Sequence, residues 1–539
     1  MMMDHPLLIT TMLDRARKLF PQKEIFSRCL DRDHRLNYGQ FYERVCRLAN
    51  VLTSLGIKAG DRVGTFAWNN HRHLELYFAV PCSGAVLHTI NLRLFPEQLV
   101  HVINHAADRV IFIDEDLAPL LAGIADKLPT VEKYIILSDK EELPEIKLPN
   151  ALSYEKLLAE APASFDFPDD LDENSPAAMC YTTATTGPPK GVIYTHRSIY
   201  LHGMMVALPD TLGVRERDAI LPVVPMFHVL SWGIPFAGVW MGSKMVLPGR
   251  VLTPEAICKL IEVEKVTLPI GVPTIWIGLH QHLQGGARYD FSSVRYIVNG
   301  GSAISKSLIK SFNENFGIKV LHGYGMTETS PVVLISELKS YMDEWEPDRR
   351  YAQQEKQGLV VPGIEMKIIN ESGAEVKWDG KEMGELCFKG PWIAGSYYQD
   401  PERSAESFKD GWLHTGDIVT IDEEGFIHIQ DRAKDLIKSG GEWISSIDLE
   451  NTIMAHPAVV EAAVIAVPHE KWVERPLACV VLKETAREEV TEADILDFLK
   501  DKVAKWWIPD RILFLDEIPK TSVGKFNKKQ LRETHAKAQ

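Results

Sequence analysis

Short aliphatic stretches alternate with segments of helical periodicity through most of the chain. RVGTFAW, AVLHTI, RVIFID, KYIILS, AILPVVP, KMVLP and RYIVNGGSA are apolar runs of strand length set between longer stretches of mixed polarity. Runs that are apolar on both faces predict strands buried between layers, and their alternation with helices predicts an α/β architecture. The opening MMMDHPLLITTMLDRARKLF joins a short apolar run to a charged amphipathic segment without a small-residue cleavage site, and predicts a helix rather than a leader. From Asp431 the style changes. DRAKDLIKSGGEW is followed by a helix-like IDLENTIMAH, strands EAAVIAVP and LACVVL, a helix in TEADILDFLKDKVAKW and a strand RILFLD. Ile495, Phe498, Leu499 and Val503 share one helical face, and Thr491 with Asp494 forms a capping-box start. These elements predict a separate small α+β domain, with the boundary at Asp431 giving domains 1–430 and 431–539.

Composition agrees with that division. The 539 residues, 45% hydrophobic and 25% charged, exceed what one compact core accommodates. Net charge is -15, from 59 Lys plus Arg against 74 Asp plus Glu, and no basic tract is present, so nucleic acid is disfavoured as a partner. A local anion site is still compatible with an acidic chain. The seven cysteines are scattered, with no CxxC pair, as expected of reduced thiols in a cytoplasmic enzyme. No run approaches the roughly 20 apolar residues of a membrane span.

The candidate chemistry begins at YTTATTGPPKG, Tyr181 to Gly191, which follows the apolar AAMCY and precedes GVIYTHRS. Glycines allow backbone N–H groups to approach an anion, threonine hydroxyls donate hydrogen bonds and Lys190 supplies a point charge, a set suited to polyphosphate. The order of residues does not match the Walker loop GxxxxGK[ST], because Lys190 is flanked by Pro189 and Gly191. Taken alone, such a segment is equally a surface turn.

YTTATTGPPKG resembles the phosphate loop of the adenylate-forming superfamily. GYGMTETSP (Gly323 to Pro331), GWLHTGD (Gly411 to Asp417), DRAKDLIKSGGEWIS (Asp431 to Ser445) and PKTSVGK (Pro519 to Lys525) are similar to its further motifs, in the same order. WNNHRHLELYFAVPCSGAVLHTINLRLFPEQLVHVINHA and the segments around PMFHVLSWGIPF and KSGGEWISSIDLEN resemble bacterial medium- and long-chain fatty acyl-CoA synthetases, with methylmercaptopropionate-CoA ligases as the nearest rival. The resemblance implies a large multi-layer N-terminal domain with mixed sheets and a small mobile α+β C-terminal domain. It implies ATP, Mg²⁺ and CoA as cofactor and co-substrates, a fatty acid as substrate, and a homodimer formed through the N-terminal region.

The same resemblance implies roles for individual residues. Lys525 would bridge the substrate carboxylate and the α-phosphate during adenylation. Glu328 would be the magnesium-linked carboxylate, with Thr182 as a weaker second contributor, and Thr327 would contact the α-phosphate. Thr182, Thr183, Thr185, Thr186, Gly187 and Lys190 would cradle phosphates. Tyr324 would pack on adenine, with Gly301, Ser302, His322 and Gly323 in the same pocket. Asp417 and Arg432 would hold the ribose, and Lys434 and Lys438 would approach the nucleotide or carboxylate. Asp431 matches the hinge. Gly440, Gly441 and Trp443 would replace Lys525 for thioester formation and line the CoA channel. His228, Trp232 and Val272 would line or gate the acyl tunnel. Read from the residues alone, Trp232 and His228 are equally core side chains, Asp417 a turn aspartate and Lys525 a solvated lysine.

Ala184 departs from the glycine usual at its place in the loop. Were that position at φ > 0, alanine would be strained by about 1–2 kcal/mol; at negative φ it would fit and stiffen the loop. Two readings besides the fatty acyl-CoA ligase follow: the same chemistry on a short or sulfur-containing acid, and an inactive nucleotide or acyl-AMP binding protein. An acyl-AMP ligase serving a carrier protein is disfavoured by SGGEW.

Overall fold

A computed structural model of the chain describes residues 1–140, 142–143, 145–182, 188–432, 435–439, 442–469, 471–520 and 526–535, with the backbone alone of Glu442. The apolar runs form the strands expected of them. Arg62–Phe66, Val86–Thr89, Asp108–Asp114, Lys133–Leu137 and Pro176–Tyr181 belong to a seven-stranded sheet. That sheet is parallel except at one edge, where Gly191–Thr195 pairs antiparallel with Pro176–Tyr181. A second, nine-stranded sheet contains Ala219–Pro222, Lys244–Leu247, Leu268–Gly271, Ile297–Asn299 and Val320–Gly325 in parallel register, with antiparallel strands at both edges. Helices cover these sheets, which explains why strands such as Val86–Thr89 are buried along their whole length.

The N-terminal segment forms helix Ile9–Leu19, and Ile9, Met12, Leu13 and Ala16, at helical spacing, are buried. This face packs against helix Ile234–Met241. Each large side chain so buried contributes roughly 1.5–3 kcal/mol. No helix among the described residues is long and apolar enough to cross a membrane.

A third sheet is antiparallel and five-stranded, with Gly384–Lys389, Trp412–Ile421 and Ile427–Arg432 at its centre. A fourth, also five-stranded, holds Ile437–Ser439, Glu442–Ile444, Val459–His469, Val473–Leu482 and Arg511–Phe514. Its own core includes Ile437, Leu449, Ile453, Val464, Ile495 and Leu499. Thr491 and Asp494 form the expected capping box. The helix they start is shorter than its sequence pattern suggests and ends at Leu499, followed by turns and a 3-10 segment Lys505–Trp507. Phe498 packs against this core from the last turn of the helix, and Val503 from the segment that follows it.

The consequence for function lies at the strand ends. Pro176–Tyr181 delivers Thr182, Ile297–Asn299 delivers Gly300 to Ser302, Val320–Gly325 delivers Thr327 and Glu328, and Leu268–Gly271 delivers Val272. All of these are carboxyl ends of parallel strands, where open α/β sheets place their ligand crevices.

Candidate active site

Strand Val320–Gly325 runs into the tight turn Thr327–Thr329. Gly325 is required there, since a Cβ would lie 1.9 Å from the carbonyl oxygen of Pro331. Three hydrogen bonds to two other segments hold the turn. The Tyr194 hydroxyl donates to the Thr327 carbonyl at 2.8 Å, the Ala394 N–H donates to the Glu328 carbonyl at 2.8 Å, and Ser330 Oγ donates to the Trp392 carbonyl at 2.7 Å. The Glu328 side chain is buried, and its Oε1 accepts a hydrogen bond from the Tyr397 hydroxyl at 2.7 Å.

The neck of the threonine-rich loop is closed by Thr182 N–H donating to the Lys190 carbonyl (2.9 Å) and Lys190 N–H donating to Thr182 Oγ1 (3.2 Å). Thr183, Ala184, Thr185, Thr186 and Gly187 lie outside the described residues. Lys190 Nζ donates to the Tyr397 hydroxyl at 2.7 Å and stands 3.9 Å from Glu328 Oε1. Burial lowers the Lys190 pKa, with Glu328 opposing that shift. An anion arriving here would meet a partly desolvated cation, where a charge acts more strongly than in water.

On the strand that leads to this turn the Tyr324 hydroxyl donates to Asp417 Oδ2 at 2.5 Å, and Arg432 Nε meets Asp417 Oδ1 at 2.9 Å. Asp417 and Arg432 are cross-strand neighbours in the third sheet. Burial, reinforced by Asp417, pushes the Tyr324 phenol up, so it stays protonated and donates. His322 Nδ1 lies 3.0 Å from the Glu355 carbonyl, and burial lowers its pKa to about 4. It is a neutral histidine satisfied by backbone, and Gly323 follows it within the strand. Ser302 is exposed at the strand end, with its Oγ donating to the Gly301 carbonyl.

Trp232 is buried against the same strand end. A Cβ on Gly300 would fall 2.8 Å from its ring, and one on Gly301 would meet Val272 at 3.4 Å and the Trp232 ring at 3.9 Å. Trp232, Val272 and the NGGSA turn therefore share one wall. The backbone leading to Trp232 has a conformation that the sequence did not suggest. Val229, Leu230, Ser231, Trp232 and Gly233 have φ of 47, 51, 48, 59 and 73°, a complete left-handed turn. His228 immediately precedes it and is half-buried.

A model of the AMP-binding enzyme family matches residues 13–398, and one of the AMP-binding enzyme C-terminal domain matches residues 448–525. The chain belongs to the AMP-binding enzyme family. It is 45% identical over 538 residues to a long-chain-fatty-acid–CoA ligase of Thermus thermophilus, an alignment covering 99% of this chain and 96% of that one. A 3-methylmercaptopropionyl-CoA ligase of Ruegeria lacuscaerulensis is 42% identical (99% and 98% covered), and a medium-chain-fatty-acid–CoA ligase of Ectopseudomonas oleovorans 41% (99% and 97%). Among solved structures, an anthranilate CoA ligase in complex with anthranoyl-AMP superposes with TM-score 0.87 at 25% identity, covering 98% of each chain.

In this AMP-binding enzyme helix Ser446–Met454 packs on strand Ile427–Arg432 of the third sheet, with Asp431 at the contact. Its carboxylate accepts hydrogen bonds from the backbone N–H of Ser446, at 3.0 Å, and from the Ser446 hydroxyl. His428 Nε2 lies 3.3 Å from Asp448 Oδ1 across the same junction. Lys438 and Trp443 sit on paired strands with the ammonium 4.7 Å from the ring centroid. Lys434, Gly440, Gly441 and Lys525 lie outside the described residues.

Sequence reasoning overlooked the segment 390–403, GPWIAGSYYQDPER. It touches both motifs at once. Trp392, Ala394 and Tyr397 hold the Glu328 turn, while Tyr398 N–H donates to the Gly191 carbonyl (2.8 Å) and Arg403 Nη1 to the Pro188 carbonyl (2.8 Å). Its two adjacent tyrosines between recognisable motifs were the available signal; its partners, 69 and 207 residues away from Tyr397, were not.

Proposed function

We propose that this AMP-binding enzyme is an AMP-forming acyl-CoA ligase acting on a medium- or long-chain fatty acid. A substrate carboxylate oxygen attacks the α-phosphate of ATP, giving acyl-AMP and pyrophosphate. The CoA thiol, giving up its proton, then attacks the acyl carbon, and AMP departs. Neither half requires a covalent enzyme intermediate, so the residues contribute positioning and charge compensation. The observation that carries the reading is the convergence of Lys190 and Glu328 with the Tyr324–Asp417–Arg432 group, Arg432 acting electrostatically on both Lys190 and Glu328. Lys190 would neutralise phosphate charge, Thr327 would contact the α-phosphate, and Asp417 would accept from the ribose hydroxyls, with Arg432 alongside.

The donor set suits Mg²⁺, which favours a carboxylate together with phosphate oxygens and water. Glu328 would supply the carboxylate, with Thr182 the lesser contributor because its Oγ1 already accepts from Lys190 N–H. When bound, the ion would offset charge on the phosphate oxygens. Lys525 would compensate the carboxylate and α-phosphate during adenylation, and Gly440, Gly441 and Trp443 would take its place for thioester formation. In that cycle residues 431–539 would turn about Asp431 relative to residues 1–430, with Lys434 and Lys438 exchanging positions near the nucleotide. Trp232, His228 and Val272 would border the acyl tunnel. A homodimer and a cytoplasmic setting complete the proposal.

A second reading, activation of methylmercaptopropionate or another short acid, is favoured by the 42% identical relative that carries that name. CoA-dependent AMP release, measured for saturated acids from propionate to stearate and for methylmercaptopropionate, separates the two. A maximum at eight carbons or longer supports the fatty acyl reading. A maximum at the short or sulfur-containing acids transfers the assignment, and no turnover of any acid supports the inactive binding protein.

A further inference from the structure

We propose that Tyr397 is a positioning residue for the nucleotide, its hydroxyl holding Lys190 and Glu328 apart so that both remain available to bound ATP. The inference rests on the ATP reading above and adds a residue to it. The phenol oxygen accepts from Lys190 Nζ at 2.7 Å and donates to Glu328 Oε1 at 2.7 Å, with Ser407 Oγ 3.4 Å away. Lys190 Nζ also stands 3.9 Å from the centre of the Tyr397 ring. The cation and carboxylate are left 3.9 Å apart, bridged by a neutral hydroxyl instead of joined directly.

The ring itself is fixed. Tyr397 is 4% exposed, its N–H donates to Ser404 Oγ at 2.9 Å, and Phe408 packs edge-on with centroids 5.2 Å apart. Burial and the neighbouring Glu328 push the phenol pKa up, so the hydroxyl remains a donor to the carboxylate. A direct Lys190–Glu328 ion pair in this half-buried place would have to be broken before either group could meet ATP. The phenol prevents that collapse, because a hydrogen bond to a neutral hydroxyl is surrendered more cheaply than a charge–charge contact.

The test is equilibrium binding of ATP, by dialysis and calorimetry in the absence of acid and CoA, to the wild-type chain, Tyr397→Phe, Lys190→Met and the double variant. Tyr397→Phe should weaken ATP binding by about ten- to a hundredfold, while KM for the acid and for CoA changes less than about twofold. In the Lys190→Met background, where no ammonium is left to pair with Glu328, the same substitution should weaken ATP binding no further. A general packing defect would instead lower the melting temperature, shift every KM and add to the Lys190→Met loss. Unchanged ATP affinity in Tyr397→Phe, or additive losses in the double variant, would overturn the positioning role while leaving the ligase reading intact. A wild-type chain that binds no ATP would overturn both. Should Tyr397→Phe fail to fold, Tyr397→Met removes the hydroxyl while keeping bulk and carries the same test: weaker ATP binding that vanishes in the Lys190→Met background supports the bridge, and unchanged affinity or additive losses overturn it.

Discussion

The turn that carries Glu328 and the turn that carries Trp232 both follow strands of the nine-stranded sheet, yet they are held in opposite ways. Around Glu328, hydrogen bonds arrive from Tyr194, Ala394 and Tyr397, and Ser330 reaches out to Trp392. Around Trp232, four consecutive non-glycine residues occupy left-handed backbone, each costing roughly 1–2 kcal/mol relative to ordinary helical backbone. The first arrangement spends hydrogen bonds to fix charged groups. The second accepts backbone strain to aim one large apolar ring at Gly300. The difference matches the proposed division of labour: the phosphate side has one substrate and gains from rigidity, whereas the acyl side must admit chains of different shape. His202 lies between the two, its Nε2 accepting from Val332 N–H at 3.2 Å and its ring below Gly233 at the end of the left-handed turn.

The comparison breaks most severely at Gly325. Gly325→Ala would drive a methyl into the Pro331 carbonyl, and we expect a loss of about 4 kcal/mol or more in denaturant unfolding together with loss of adenylation. Next comes pH. Burial lowers the pKa of His202 to about 3, below the ordinary value of 6.5. The folded state favours the neutral ring, so this stability is fully present above pH 6.5 and lost as pH falls toward 3. His196 and His322, each near 4, act with the same sign. Each histidine should cost about 1.4 kcal/mol per pH unit over its window. Calorimetric melting should therefore decline as pH falls from 6.5 to 4.5, and His202→Gln should flatten that decline.

Gly300→Ala, whose Cβ would fall 2.8 Å from the Trp232 ring, sharpens the contrast. It should raise KM for the acid about tenfold while leaving ATP affinity within about twofold, read by steady-state kinetics and direct binding. The smallest expected effect uses two left-handed serines, Ser231 (φ 48°) and Ser330 (φ 68°). Each donates to a carbonyl, that of Val224 at 2.8 Å and that of Trp392 at 2.7 Å. Glycine at either position relieves strain and removes one hydrogen bond, so both variants should stay within about 1 kcal/mol of wild type in unfolding. They should separate in kinetics, Ser231→Gly altering KM for the acid and Ser330→Gly altering KM for ATP.

Much of this was legible in the sequence. The strands, the small C-terminal core and the Thr491–Asp494 cap are local patterns, and chains fold locally as such patterns dictate. Glu328, Tyr324 and Asp417 were marked by motifs that resemble a known family. Tyr397 was not, because its partners are far away in the chain and nothing in GSYYQDPERS encodes them. The left-handed turn was invisible for a different reason: FHVLSWG contains a β-branched valine and a tryptophan, residues that avoid positive φ unless surrounding structure imposes it. The helix ends at Leu499 although Phe498 and Val503 continue its apolar periodicity, so periodicity alone did not register its end.

The central claim is that this site joins a carboxylate to AMP. Its most direct test is acid-dependent exchange of labelled pyrophosphate into ATP without CoA, in wild type and in Glu328→Gln. The account predicts exchange stimulated by medium- or long-chain fatty acids and slowed about 10²- to 10³-fold in the variant. Absence of acid-stimulated exchange in the wild-type chain, or equal exchange in Glu328→Gln, would contradict it.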